Sequence, residues 1–99
     1  MTPPPLSVSP QAEKEAQKAA QWYERETSGL GVAFLEVVGR TLELLAERPL
    51  LFPVVYRDVR RALVKRFPYG IFFRLRPNQI RVIAIVHLAR DPGVWQRRR

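Results

Sequence analysis

The stretch from Tyr69 to Leu88, YGIFFRLRPNQIRVIAIVHL, decides the fold. It contains two runs rich in isoleucine, valine and phenylalanine, residue types that favour strands, on either side of the tetrapeptide RPNQ. Pro77 and Asn78 are typical of the centre of a tight turn, because proline presets its backbone angle and asparagine tolerates turn conformations. The stretch therefore predicts two antiparallel strands that form a hairpin.

The second of these runs is apolar at both alternating sets of positions. A strand that is apolar on both faces is typical of the interior of a sheet, so we expect this strand to have neighbours on both sides. Strict alternation also places Arg81 and His87 on the same face, at the two ends of the strand. One set is Ile80, Val82, Ala84 and Val86, and the other is Ile83 and Ile85.

Two apolar stripes with helical spacing come earlier in the chain. The first begins at Ser9 and Pro10, where a serine oxygen can accept a free backbone N–H and proline at the first helical position loses no hydrogen bond, and it runs to about Glu26. The second begins at Leu30 and should stop by Arg48, because the proline that follows disfavours helical geometry there. A helical hairpin is predicted.

Two further strands complete the pattern. RRALVKRF at residues 60–67 predicts an antiparallel strand, and LSV at residues 6–8 predicts a short edge strand. The order β-α-α-β-β-β predicts an α+β fold whose helical hairpin packs on one face of a small, mainly antiparallel sheet. We expect a single domain over residues 1–99, with an extended proline-rich arm at 1–5 and a basic tail or short helix at 91–99.

The charge is strongly positive and concentrated in the second half. Seventeen lysines and arginines oppose nine acidic residues, which gives a net charge of +8. Such a field suits nucleic acid, a nucleic-acid-bound machine or an acidic protein partner, although an arginine-rich surface for solubility or heat tolerance is the alternative. On the uncovered sheet face, Arg61 with Lys65, or Arg74 with Arg76, would form a basic surface for phosphates or carboxylates, unless that face is only solvated.

The composition excludes several kinds of chemistry. Without cysteine and with a single histidine, the chain offers neither a disulfide framework nor a conventional zinc site, and we expect no metal or cofactor. No serine stands in a nucleophile motif, and no glycine-rich phosphate loop is present. No apolar run approaches the roughly 20 residues of a membrane span, and the start lacks the features of a secretory signal, so we expect a cytoplasmic protein without membrane contact.

One enzymatic hypothesis is still compatible with the composition. Arginine, lysine and histidine side chains on a sheet can cleave a phosphodiester by using the 2′-hydroxyl of RNA. The candidate set is Arg61, Lys65, His87 and Arg90. A histidine that merely orders the end of its strand by hydrogen bonding is the alternative for His87.

Four segments of the chain are distinctive in combination: AQKAAQWYERETSGLGVAFLEVV, RPLLFP, RFPYGIFFRL and IVHLARDPGVWQRR. In sequence and spacing they resemble the toxins of the RelE/ParE superfamily of bacterial type II toxin–antitoxin modules. The resemblance extends from Leu6 over nearly the whole chain, and it implies a growth-inhibiting toxin, of a kind linked to plasmid stabilisation. It also implies a cognate antitoxin whose extended segment, usually acidic, wraps the toxin in a hetero-oligomer.

The superfamily contains toxins with two different activities, and the sequence can be compared with the residues that each activity requires. Members of the RelE type cleave ribosome-bound mRNA with basic residues on the first strand of the three, an arginine on the second, and an arginine and a tyrosine after the last. Placed on this chain, these positions are Arg61 and Leu63, Gly70, Arg90 and Trp95, so three of the five have lost the required group. The pattern resembles the ParE-like branch, whose characterised members poison DNA gyrase by binding.

The leading hypothesis is therefore a ParE-like toxin that binds gyrase, and the alternatives are a RelE-like mRNA endonuclease and a non-toxic basic module that binds nucleic acid. We expect Trp95 to pack on the domain, and the exposed apolar surface to make the isolated chain poorly soluble or dimeric. The residues predicted to contact the target or the antitoxin are Arg60, Arg61, Lys65, Arg74, Arg76, Arg81, Arg90, Trp95, Arg97 and Arg98.

Overall fold

The computed structural model describes residues 4–99, so the first three residues of the predicted arm lie outside the described part. Within that part the chain forms five strands, three α-helices and one short 3₁₀ helix. They are β1 (Leu6–Val8), α1 (Pro10–Glu26), α2 (Leu30–Glu47), the 3₁₀ helix (Pro49–Leu51), β2 (Val54–Tyr56), β3 (Val59–Val64), β4 (Tyr69–Leu75), β5 (Ile80–His87) and α3 (Gly93–Gln96).

Both predicted helices form, and local sequence explains their ends. The Ser9 hydroxyl accepts the N–H of Ala12, which caps α1 as predicted. The turn into α2 passes through Gly29, whose φ of +87° is a left-handed conformation that favours glycine. Glu24 then caps α2 from the preceding helix, because its carboxylate accepts the N–H groups of Gly29 and Gly31 at 2.8 and 2.9 Å.

The helical hairpin packs on one face of the sheet. Small alanines let α1 approach closely, while α2 contributes larger buried side chains such as Phe34 and Leu45. An aromatic cluster joins the helices to the sheet, with ring centroids of Tyr23, Phe34 and Tyr69 between 5.0 and 6.1 Å apart. Burial of these rings, complete for Phe34 and partial for the two tyrosines, adds to the hydrophobic stabilisation.

The five strands form one sheet in the order β1-β5-β4-β3-β2. β1 pairs with β5 in parallel, and every other pair is antiparallel. The long apolar strand β5 thus lies inside the sheet, as its sequence predicts, and the α+β fold class is confirmed.

A bulge in β5 makes the predicted alternation wrong. Phe72 pairs with Ala84 but Phe73 pairs with Val82, so Ile83 has no partner in β4. The extra residue shifts every later side chain to the opposite face. Arg81 and His87 therefore lie on opposite faces rather than sharing one.

The structure also contains a strand that the sequence analysis missed. β2 is only three residues long, and it forms a hairpin with β3 through Arg57 and Asp58. Arg57 adopts a φ of +51°, a conformation in which glycine or asparagine would have signalled the turn.

Candidate functional site

The sheet face opposite the helical hairpin, here called the open face, collects most positions at which the resemblance placed nuclease residues. Alternation along β3 and β4 puts Arg61, Leu63 and Gly70 on this face, and Leu63 lies opposite Gly70. A Cβ atom on Gly70 would lie 3.0 Å from a methyl carbon of Leu88 and 3.4 Å from Cδ of Arg61. The space beside Gly70 is therefore already filled by an apolar side chain and the arginine stem.

Trp95 closes the adjoining part of the open face. It lies on α3, is only 6% exposed, and stacks on Phe72 with ring centroids 4.2 Å apart. Tyr56 of β2 meets the indole edge-on at 5.9 Å. These rings form a second small core with Ile83 and other apolar residues of the sheet. The expectation that Trp95 packs on the domain is confirmed.

Among the predicted contact residues, Arg98 and Arg74 make ion pairs inside the molecule. Arg98 makes a bidentate ion pair with Glu15 of α1 at 2.9 and 3.0 Å and donates to the carbonyl of Ile83 at 3.1 Å. Glu15 in turn accepts the N–H of Ile85 at 3.2 Å. Arg74 pairs with Asp58 and donates to the carbonyl of Arg98 at 3.0 Å. The C-terminal tail is thus held along β5, beside the bulge.

His87 lies on the helix face with a different set of neighbours. Its ring meets Tyr69 edge-on at 5.3 Å, and its Nδ1 accepts the N–H of Ala89 at 3.0 Å, which leaves Nε2 as the ring nitrogen for any further partner. His87 and Arg90 line one cleft with Lys18 and Trp22 of α1. Burial raises the pKa of Tyr69, and the positive charge of Arg90 opposes that rise, so its hydroxyl remains protonated at neutral pH.

The four residues of the ribonuclease hypothesis do not lie together in the structure. Arg61 projects from the open face, His87 lies on the other face, and Lys65 is in the exposed turn after β3. Only His87 and Arg90 share a cleft. Nε of Arg61 is also buried and has no hydrogen-bond partner among the described residues.

The remaining predicted contact residues are spread around the molecule. Arg60 donates to the carbonyl of Phe52 at 2.7 Å, and Arg81 donates to the Ser7 hydroxyl at 3.3 Å. Arg97 is exposed on the tail, and Arg76 lines an apolar groove beyond the end of β4. Their roles in binding stay predictions.

That apolar groove gives a location to the exposed apolar surface that the sequence analysis expected but did not place. It has a volume of about 740 Å³ and lies between the 3₁₀ helix and the β4–β5 turn. Leu50 and Leu51 are 72% and 60% exposed there, and Arg48 and Arg76 stand at its rim. The signal was present in the segment RPLLFP, where two leucines sit between prolines that prevent a long helix or a paired strand.

Neither a metal centre nor a membrane span is found in residues 4–99. No three histidine, aspartate or glutamate side chains in this part stand close enough together to hold a metal ion. None of its helices combines the length and the apolar character that crossing a bilayer requires.

Comparison with solved structures bears on the fold. A structure described as the chromosomal ParDE TA system from P. aeruginosa matches with a TM-score of 0.74 and 16% sequence identity, over 85% of this chain and 95% of that chain. At this identity the likeness concerns the fold alone, and it supports a RelE/ParE-like architecture. Comparison with curated protein sequences gave no match.

The match to a protein family is more direct. Residues 6–92 match the family model described as the ParE toxin of the type II toxin–antitoxin system, parDE. This range covers most of the sequence, and it confirms both the resemblance to the superfamily and the choice of the ParE-like branch. The chain therefore belongs to the ParE toxin family of type II toxin–antitoxin systems.

Proposed function

We propose that this chain is a toxin that acts by binding and poisoning DNA gyrase, and that a cognate antitoxin neutralises it. The observation that carries the proposal is the filled open face. Leu88 covers Gly70, and Trp95 stacks on Phe72, where a nuclease of this superfamily would need room for RNA and polar groups to act on it.

The distribution of titratable groups also favours binding over catalysis. Cleavage of RNA by its own 2′-hydroxyl needs a proton acceptor and charge-stabilising groups within hydrogen-bond reach of one phosphate. Arg61 and His87 are separated by the thickness of the sheet, and the turn that carries Lys65 lies beyond the end of β3. A toxin that acts by contact needs no such convergence.

The surface properties fit an acidic, apolar antitoxin. Leu50 and Leu51 expose apolar area that binding would remove from water, and Arg48 and Arg76 can pair with carboxylates at the rim. A second copy of this chain is disfavoured as the main occupant, because two molecules of charge +8 repel each other. With gyrase as its target, the toxin would act in the cytoplasm as a single domain, and it would do so only when free of its antitoxin.

The gyrase proposal is tested with purified toxin and gyrase in a DNA supercoiling assay. We expect the toxin to inhibit supercoiling and to trap gyrase on cleaved DNA. Because the tail is the predicted target contact, the double variant Arg97→Ala with Arg99→Ala should lose this effect, whereas Lys14→Ala with Arg25→Ala, which removes equal charge from α1, should keep it. Normal supercoiling with a folded toxin, or cleaved messages during growth arrest, would reject the proposal.

The antitoxin proposal has its own test in growing cells. Co-expression of the cognate antitoxin should restore growth to cells that produce the toxin. The double variant Leu50→Ser with Leu51→Ser should remain toxic but should no longer be neutralised by the antitoxin. The control Val32→Ser removes an exposed apolar side chain from α2, outside the groove, and this variant should still be neutralised. If the double variant is neutralised as well as the original chain, the groove is not the antitoxin site.

A further inference from the structure

The cleft beside His87, here called the α1–β5 cleft, has an unusual combination of charge and aromatic surface. It has a volume of about 300 Å³ and is lined by Lys18 and Trp22 of α1, by Tyr69, and by His87 and Arg90 at the end of β5. A cavity of this size lies at the small end of ligand pockets, and suits a ligand about as large as one nucleotide.

The cations of the cleft are available to a ligand. Glu15 also lines the cleft, but its carboxylate is already paired with Arg98 at 2.9 and 3.0 Å. Lys18 and Arg90 form no ion pair within residues 4–99. Two positive side chains therefore face a small cavity in which the acidic group is already neutralised.

The other groups of the cleft add a hydrogen-bonding nitrogen and a flat apolar surface. Nδ1 of His87 accepts the N–H of Ala89, so Nε2 is the ring nitrogen that is left for a ligand. Trp22 is 50% exposed, although a large aromatic side chain is normally buried for its area. An exposed indole beside cations offers a ring on which a base can stack while its phosphate meets positive charge.

From this arrangement we propose that the α1–β5 cleft binds a nucleotide, with the phosphate between Lys18 and Arg90 and the base against Trp22. The ligand is either a free nucleoside monophosphate or one nucleotide of a single strand, since both offer the same chemistry. A peptide carboxylate is less favoured because it would leave the indole unused. The proposal does not depend on gyrase as the target, since the lining of the cleft contains no residue of the apolar groove and neither Arg97 nor Arg99, the tail positions used to test gyrase inhibition.

The test uses the full chain and the fluorescence of Trp22, because Trp95 is only 6% exposed. The probes are adenosine monophosphate, adenosine, inorganic phosphate, a 5′-phosphorylated hexanucleotide of adenosine, and hexaglutamate. We expect saturable binding of the monophosphate, about tenfold tighter than either adenosine or phosphate alone. A hexanucleotide that binds much more tightly than the monophosphate would identify a single strand as the source, and equal affinities would identify the free nucleotide.

Matched charge variants locate the site. Arg90→Gln and Lys18→Gln should each weaken binding about tenfold, whereas Lys14→Gln and Arg97→Gln should change it less than about twofold. All four side chains are on exposed residues, and circular dichroism confirms that each variant folds. The proposal is overturned if neither nucleotide probe saturates, if Lys14→Gln weakens binding as much as Lys18→Gln, or if hexaglutamate binds in place of the nucleotides.

Discussion

Two glycines of α2 lie in opposite surroundings, and they show how closely the helices approach. A Cβ atom on Gly31 would lie 2.4 Å from the carbonyl oxygen of Ala20 in α1, whereas a Cβ on Gly39 would meet nothing within 4 Å. The carbonyl is a backbone atom, so it cannot rotate away as a side chain would. The contact between α1 and α2 therefore requires glycine at position 31 but not at position 39.

Alanine at these two positions should have effects of opposite sign. We expect Gly31→Ala to destabilise the protein by about 1–3 kcal/mol, because overpacking forces the helices apart. Gly39→Ala should stabilise it by about 0.5–1 kcal/mol, because alanine restricts the unfolded chain and suits a helix interior. Urea unfolding of both variants measures the difference. Equal effects would mean that the helices do not pack as closely as described.

Glu24 gives the stability a specific dependence on pH. Hydrogen bonds from the backbone N–H groups of Gly29 and Gly31 lower the pKa of its carboxyl below the usual 4.5. The folded state therefore binds the proton more weakly than the unfolded state, so the stabilisation is present above the ordinary carboxyl pKa and is lost as the pH falls through the lowered one.

The corresponding prediction compares Glu24→Gln with the original chain by thermal unfolding. The variant should melt at a lower temperature at pH 7, and the difference should shrink as the pH is lowered through 4.5, where the carboxylate begins to lose its advantage. Glu26→Gln, an exposed neighbour without a hydrogen bond to α2 among the described residues, should show no such trend. A difference that stays constant with pH would contradict the capping role of the charge.

At the scale of elements, the C-terminal tail acts as a strap along the free part of β5. β1 pairs only with Ile80, Arg81 and Val82, so the next backbone groups of β5 need other partners. Arg98 reaches the carbonyl of Ile83, and Glu15 accepts the N–H of Ile85. Arg98 of the strap and its ion-pair partner Glu15 of α1 thereby satisfy polar groups that the bulge and the short β1 leave unpaired.

Release of the strap should lower the free energy of unfolding and expose the backbone mainly near Ile85. We expect Arg98→Ala to destabilise the fold by about 1.5–3 kcal/mol, because it removes hydrogen bonds between charged groups that are 17% and 18% exposed. Amide exchange at Ile85 should become faster. Arg99→Ala, an exposed change in the same tail, should shift stability by less than about 0.5 kcal/mol. If both variants behave alike, the tail is not anchored through Arg98.

Much of the arrangement of elements was predictable from sequence, and the exceptions have physical causes. Periodicity and capping located α1 and α2, because those signals depend only on near neighbours. The turn at Arg57 and the bulge at Ile83 carry no such signal, since pairing with β3 and β4 determines them. The strand β2 and the true face of His87 were missed for this reason.

In the candidate site, too, features that depend on residue type were predictable from the sequence, and features that depend on long-range contacts were not. Substitution of the nuclease positions was visible in the sequence at Leu63, Gly70 and Trp95, but the way in which Leu88 fills the space beside Gly70 was not. The partners of Arg98 were equally hidden, because Glu15 is 83 residues away in the chain. Long-range contacts of this kind determine which arginines are available for binding.

At the scale of the whole molecule, charge and apolar surface act against each other. The net charge of +8 keeps molecules of this chain apart, while Leu50 and Leu51 in the apolar groove favour association. Salt weakens only the first effect, because the screening length falls from about 30 Å at 0.01 M to about 8 Å at 0.15 M ionic strength. The balance between the two should therefore shift with salt.

We expect the isolated chain to be monomeric at low ionic strength and to associate as salt is added, which sedimentation velocity measures directly. The double variant Leu50→Ser with Leu51→Ser should stay monomeric throughout, with stability changed by less than about 0.5 kcal/mol per site because both side chains are largely exposed. Val32→Ser should associate like the original chain. Association that weakens with salt would instead indicate contacts between opposite charges, and the groove would then have no part in it.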